Sequence, residues 1–182
     1  MPRKLSNIEL NRLTPEQFRQ AEKMPVTLVL DNIRSQHNIG AAFRTGDAFR
    51  IEKIILCGIC AVPPGAEIHK AALGAEDAVS WEYAADTAAA LAALRRNGYT
   101  PVAIEQTENA IPLQQFTPDG GKKYALVFGN EVRGVQQAVV DACDCAIEIP
   151  QAGTKHSLNV SVSIGIVLWR FFNGEWKMEN VS

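Results

Sequence analysis

No apolar run in the 182-residue sequence approaches the roughly 20 residues needed to cross a bilayer. The opening stretch, MPRKLSNIEL, also lacks the apolar centre of a secretory signal. A cytoplasmic protein without membrane association is the expectation. Strong charge of either sign is missing too: 18 Lys and Arg stand against 20 Asp and Glu, a formal net charge of -2. Any contact with nucleic acid must therefore be local. The phosphate-binding patterns G-x-G-x-x-G and G-x-x-x-x-G-K-[ST] do not occur, and Gly120-Gly121-Lys122-Lys123 is no substitute. There is no G-x-S-x-G elbow, and the adjacency of His156 and Ser157 does not make a triad, which depends on spatial geometry. Ordinary dinucleotide enzymes, nucleotide triphosphatases and serine hydrolases lose ground together.

Metal and redox chemistry are weakly signalled. The histidines, His37, His69 and His156, show no paired ligand spacing. The cysteines fall as Cys57-x-x-Cys60 and Cys143-x-Cys145. A thioredoxin-like pair should open a helix, whereas Cys60 runs into AVPPGAE, a loop composition. A zinc site would need two distant pairs to converge. Buried reduced thiols and no bound metal are the expectation.

What is present is a chain that is 47% hydrophobic, enough for one core in a single domain. Residues 1–24 read as a polar helical arm, with a helix start at Thr14-Pro15-Glu16-Gln17 where Gln17 can reach back to the cap. Its Arg3, Lys4, Arg12, Arg19 and Lys23 outnumber Glu9, Glu16 and Glu22. Residues 25–174 read as the folded domain and 175–182 as a short tail. Within the domain, apolar runs alternate with helical patterns: strands at 26–31, 53–58, 100–105, 123–129 and 145–150, and helices opening at Asn38, over 86–98, over 135–143 and over 158–172. That alternation predicts an α/β fold, a parallel sheet flanked by helices.

In such sheets, ligands bind beyond the carboxyl ends of strands. Three post-strand segments stand out: DNIRSQHNIGAAFR, FGNEVRG and IPQAGTKHSLN. Each has an ordinary explanation: Asn38 as a helix cap, Gly40 and Gly129 as turn residues, and Glu131 at a helix start paired with Arg133. Likewise Ile39, Ala42, Phe43, Gly46 and Phe49 recur at helical spacing as a buried stripe, which leaves Arg44 on the wet side.

Taken in order, Asn38-x-Gly40-x-x-x-Arg44, Phe128-Gly129-Asn130-Glu131-x-x-Gly134, and Ile149-Pro150 followed by Ser157-Leu158-Asn159-Val160 resemble the three motifs of the SpoU (TrmH-like) RNA ribose methyltransferases of the SPOUT superfamily. The resemblance spans about residues 25 to 172. It implies a SPOUT-type sheet with a C-terminal trefoil knot, a homodimer with the site at the subunit interface, and S-adenosyl-L-methionine as methyl donor. It implies transfer to a ribose 2'-hydroxyl of structured RNA, with tRNA favoured over rRNA because the arm is short.

By resemblance, Gly129, Ile149, Ser157 and Leu158 hold the donor, with Glu105 and Thr107 closing the pocket, while Asn38, Glu131, Ser157, Asn159 and Arg44 form the catalytic set. Arg34, Arg44, Arg133 and Lys155 complete RNA contact. The family regards the arginine matching Arg44 as catalytic. Arginine is a poor base, since stripping its proton near neutrality costs about 7 kcal/mol. A fixed cation that clamps phosphate and stabilises a developing alkoxide is the preferred role, with the proton passing to a phosphate oxygen or water. Two other readings stay open: a catalytically silent RNA-binding protein on the same fold, and a small-molecule nucleotide enzyme on a plain α/β sheet, which a pI near 5.9 would suit.

Overall fold

The structure is a computed structural model that describes residues 1–6 and 9–174; the tail expected at 175–182 lies outside the described residues. Elements follow in the order α1 (Pro15–Gln20), β1 (Met24–Asp31), α2 (Gln36–Ala48), β2 (Ile51–Cys57), α3 (Ala66–Ala72), α4 (Ala75–Ala78), β3 (Trp81–Ala84), α5 (Thr87–Arg96), β4 (Tyr99–Ile104), β5 (Ile111–Pro112), β6 (Lys123–Phe128), α6 (Gln137–Asp141), β7 (Cys145–Glu148) and α7 (Val160–Phe172).

The strands form one seven-stranded sheet, ordered β3-β2-β1-β6-β4-β7-β5, and every pairing in it is parallel. Because helices cover both faces, strand residues of both parities are buried, and the central strands read as unbroken apolar runs. In β1, Val26, Leu28 and Leu30 point into a core shared with α2, α3 and α7, and Val29 points into a second core shared with α5 and α6. In β6, Leu126 and Phe128 join the first core and Ala125 and Val127 the second.

Three short elements went unread in the sequence: α3, α4 and β3, of 7, 4 and 4 residues. They are too short to show a period, and α3 and α4 are rich in alanine. β5, of two residues, was missed for the same reason.

The expected capping box at Thr14 forms, with Gln17 N–H donating to Thr14 Oγ1 and Thr14 N–H to Gln17 Oε1. Phe18 of α1 is buried in the first core, and the Arg19 guanidinium donates to the Asp77 carbonyl at 3.0 Å. Helix α1 is thus packed on the domain rather than loose.

Two local expectations are corrected. Ser35, not Asn38, caps α2: its side chain accepts from Asn38 N–H at 3.2 Å, so Asn38 lies inside the first turn. Gly40 is not a turn residue. It sits mid-helix where α2 crosses α3, and a Cβ there would lie 2.3 Å from the Ile68 carbonyl oxygen and 2.8 Å from Ala71 Cβ. A backbone atom cannot yield as a side chain can. Gly40→Ala is therefore expected to lower folding stability by about 2–3 kcal/mol, read as a shifted urea midpoint at unchanged slope.

Candidate active site

The carboxyl ends of β4, β6 and β7 and the start of α7 enclose a cleft of about 720 Å³, within the ordinary size range for a small-molecule site. All six residues assigned to the donor, Glu105, Thr107, Gly129, Ile149, Ser157 and Leu158, line it. Glu131, Arg133 and Asn159 line it as well.

Residues 128–134 fold back on themselves. Asn130 N–H donates to the Gly134 carbonyl and Gly134 N–H to that of Asn130, at 3.0 and 2.8 Å. The Asn130 side chain caps the turn by accepting from Val132 and Arg133 N–H, and donates to the Asn32 carbonyl at 2.7 Å. So tight a fold leaves no room at Gly129, where a Cβ would lie 2.1 Å from both Gly134 C and Val135 N. Gly134 itself has a φ of +66°, which favours glycine.

The Glu131 carboxylate reaches across to the segment between β1 and α2. Its Oε2 accepts from Arg34 N–H at 3.0 Å, and its Oε1 accepts from Ser35 N–H and from Asn38 Nδ2, each at 3.0 Å. Asn38 Oδ1 in turn accepts from Asn159 Nδ2 at 3.3 Å. One chain of contacts therefore ties the three sequence segments together through Asn38, Glu131 and Asn159. The pairing of Glu131 with Arg133 read from the sequence does not form, because these amides take the carboxylate instead.

Burial alone would push the Glu131 carboxyl up. The amide donors of Arg34, Asn38 and Ser35 outweigh it and hold the group below the usual carboxylate range. A lowered folded-state value means that this clasp contributes stability above the ordinary carboxylate range and loses it as pH falls through the lowered value. Glu131→Gln should therefore flatten the acid limb of the stability profile, as read by thermal melts stepped from neutral pH down through the carboxylate range.

Asn38 is 7% exposed and does not line the cleft, but it is one hydrogen bond from it through both Glu131 and Asn159. Arg34 and Lys155 are exposed and outside the lining. Arg44, placed in the catalytic set by resemblance, does not line this cleft in its own chain. It lines a separate hollow of about 290 Å³ with Leu13 and Phe18 of the N-terminal segment and Leu73 and Gly74 between α3 and α4. The reason is helical geometry: six residues at roughly 100° each place Arg44 about 120° around α2 from Asn38. A helix face can be read from sequence, but the neighbour that face meets cannot.

Three residues that the sequence reading assigned no role shape the site. Gln106 Nε2 donates to the His156 carbonyl at 2.7 Å and ties the SLN loop to the end of β4. Asp31, fully buried at the end of β1, accepts from Thr87 Oγ1 at 2.6 Å and from Gln136 N–H and Nε2, both at 3.2 Å. A carboxylate closing the run VTLVL was the available signal for it. Glu148, the last residue of β7, lines the cleft.

All four cysteines are free. Cys57 and Cys60 are buried, with burial pushing the thiols up to about 12 and about 11, and Cys143 and Cys145 are half-buried. Thiols held protonated in this way are poor nucleophiles and poor metal ligands.

Fold and cleft together define an α/β protein with an open cleft at the carboxyl edge of a parallel sheet. More specifically, the chain belongs to the SpoU rRNA Methylase family, whose model matches residues 25–169. It is 34% identical over 149 residues to the 23S rRNA (guanosine-2'-O-)-methyltransferase RlmB of Nitrosomonas europaea, covering 80% of this chain and 55% of that relative. It thus spans about half the relative's length. Among solved structures it is similar to the TrmH/SpoU tRNA modifying enzyme of A. aeolicus, with a TM-score of 0.76, 25% identity, and coverage of 87% of this chain and 80% of that one. It is also similar to the AdoMet-bound rRNA methyltransferase of Sinorhizobium meliloti, with a TM-score of 0.75, 27% identity, and coverage of 88% and 60%.

Proposed function

We propose that this chain transfers a methyl group from S-adenosyl-L-methionine to a ribose 2'-hydroxyl of structured RNA, with tRNA favoured over rRNA. The observation that carries this reading is the cleft, in which all six residues assigned to the donor are brought together. Its chemistry fits a nucleoside sulfonium. Ile149 and Leu158 give an apolar slot for adenine, Gly129 brings backbone close where no side chain could fit, and Ser157 supplies a hydroxyl. The 23S rRNA (guanosine-2'-O-)-methyltransferase and the AdoMet-bound rRNA methyltransferase among the similar proteins support RNA ribose as acceptor and AdoMet as ligand.

Methyl transfer from a sulfonium is an in-line displacement, so the protein's task is orientation and help with loss of the hydroxyl proton. The Asn38–Glu131–Asn159 chain fixes the loops around the cleft. Glu131 is a positioning group rather than a base, because three N–H donors already occupy its oxygens. Arg133 on the cleft wall, and Arg34 and Lys155 beside it, offer phosphate contacts that position RNA without reading its bases. The arm, residues 1–24, adds a small positive excess.

Arg44 lies outside the cleft of its own chain, so we assign the functional unit as a homodimer in which Arg44 of the partner subunit completes the site. A stripe of exposed apolar residues supports this. Leu158, at the cleft, is continued along α7 by Val162, Ile166 and Trp169, which are 49%, 38% and 58% exposed. A second copy would cover it. The C-terminal knot belongs to the same proposal. What supports it is the sheet order, in which β7 lies between β4 and β5, two strands that precede it in the chain.

Calorimetry tests this reading. Folded protein should bind S-adenosylmethionine and S-adenosylhomocysteine at one site per chain, and should bind tRNA more tightly than rRNA fragments. Absence of binding by either adenosyl ligand would exclude the methyltransferase reading and leave an RNA-binding protein on the same fold.

A further inference from the structure

The floor of the cleft holds an electrostatic conflict that its own hydrogen bonds do not resolve. β4 and β7 pair in parallel with Ile104 opposite Ile147, and Glu105 N–H donates to the Ile147 carbonyl at 3.0 Å. The next residue on each strand is a glutamate. Glu105 and Glu148 are therefore neighbours across the strands, both half-buried and both lining the cleft. Like charges at such a position oppose folding.

The remaining titratable groups on the wall are Glu131, Arg133 and His156. Glu131 is consumed by its three amide donors. Glu105 accepts one backbone N–H on each oxygen, from Gln106 and Val135. Glu148 has no hydrogen-bond or ion-pair partner for its side chain among the described residues. A half-buried carboxylate without a partner, set beside a second carboxylate, is a site that a cation would relieve.

We propose that Glu105 and Glu148 form an anionic floor that distinguishes the positively charged methyl donor from its neutral product. The proposal rests on the donor reading above. S-Adenosylmethionine carries a sulfonium and an ammonium against one carboxylate, a net positive charge. Loss of the methyl group turns the sulfonium into a thioether, and S-adenosylhomocysteine carries no net charge. The two ligands share every other recognition group. A floor that attracts charge therefore holds the donor, and lets go of the product once the methyl has left. Neither glutamate belongs to the three sequence segments that carry the family resemblance through their side chains.

The experiment is calorimetric titration of the wild type, Glu148→Gln and Glu148→Asp with three ligands: S-adenosylmethionine, S-adenosylhomocysteine, and an analogue bearing an amine in place of the sulfonium methyl. Glu148 makes no side-chain hydrogen bond or ion pair among the described residues, and circular dichroism checks that each variant is intact. The wild type should prefer both charged ligands. Glu148→Gln should weaken those two by roughly fivefold or more while leaving the product within about twofold, and added salt should narrow the gap. Glu148→Asp should keep the preference. Equal weakening of all three ligands by Glu148→Gln, or no change in any, overturns the charge-discrimination proposal while leaving the donor reading intact. Failure of folded wild type to bind any of the three removes both.

Discussion

Arg44→Ala is expected to lower turnover by about two to three orders of magnitude, the usual cost of removing a preorganised charge at a reacting oxygen, while leaving donor affinity unchanged. The split between the two readouts follows from position. Arg44 lines a hollow beside Leu13 and Phe18 rather than the cleft, so deleting its side chain leaves the donor pocket of the same chain intact. Arg44→Lys separates two roles. A base role would be better preserved by lysine, which deprotonates more readily. A fork that clamps phosphate would not be, since an ammonium cannot reproduce bidentate geometry, and loss close to that of alanine is the expected result.

Mixing gives a further check on the shared site. In the proposed homodimer, equal parts of Arg44→Ala and a second variant with a blocked cleft should recover about a quarter of wild-type activity, because half of such dimers are mixed and each holds one complete site. If Arg44 served its own chain, the mixture would stay inactive.

The second large effect is expected at Gly129. Gly129→Ala would drive a Cβ into the backbone of Gly134 and Val135 at 2.1 Å, with no flexible side chain able to give way. The fold-back closed by Asn130 and Gly134 would have to open. At about 3 kcal/mol for such overpacking, donor binding should weaken about a hundredfold, as measured by calorimetry, with a lowered melting temperature. Gly98→Ala is the control: its φ is +82° but nothing lies within 4 Å of a Cβ there, so strain appears without loss of donor binding.

Much of the fold was legible because long apolar strands and capped amphipathic helices announce themselves locally. VTLVLD, KIILC and KYALVF are strands, and Asp86 caps α5 through Ala89 N–H, as the pattern required. Ile39, Ala42, Phe43 and Gly46 are the buried face of α2 as spaced, with Phe49 at its C-cap and half-buried. What failed depended on distant partners. Ser35 and Asn38 are equally good caps by type. Asn38 was displaced from that role because its amide is committed to Glu131, 93 residues away. Gly40 looked like a turn residue because nothing local reveals that α3 crosses there. The cleft proposed for the donor was legible as a set of post-strand segments, since a parallel sheet brings its carboxyl ends together whatever the order of strands. The direction of Arg44 was not, because it depends on which element, or which second chain, lies against that side of α2.

The most direct measurement of the central claim is incubation of the protein with methyl-labelled S-adenosylmethionine and tRNA or rRNA from cells lacking it, followed by nuclease mapping of the label. The expected result is label on a single ribose 2'-oxygen, lost in Arg44→Ala. Label on a base, or no transfer to either RNA by protein that binds the donor, would contradict it.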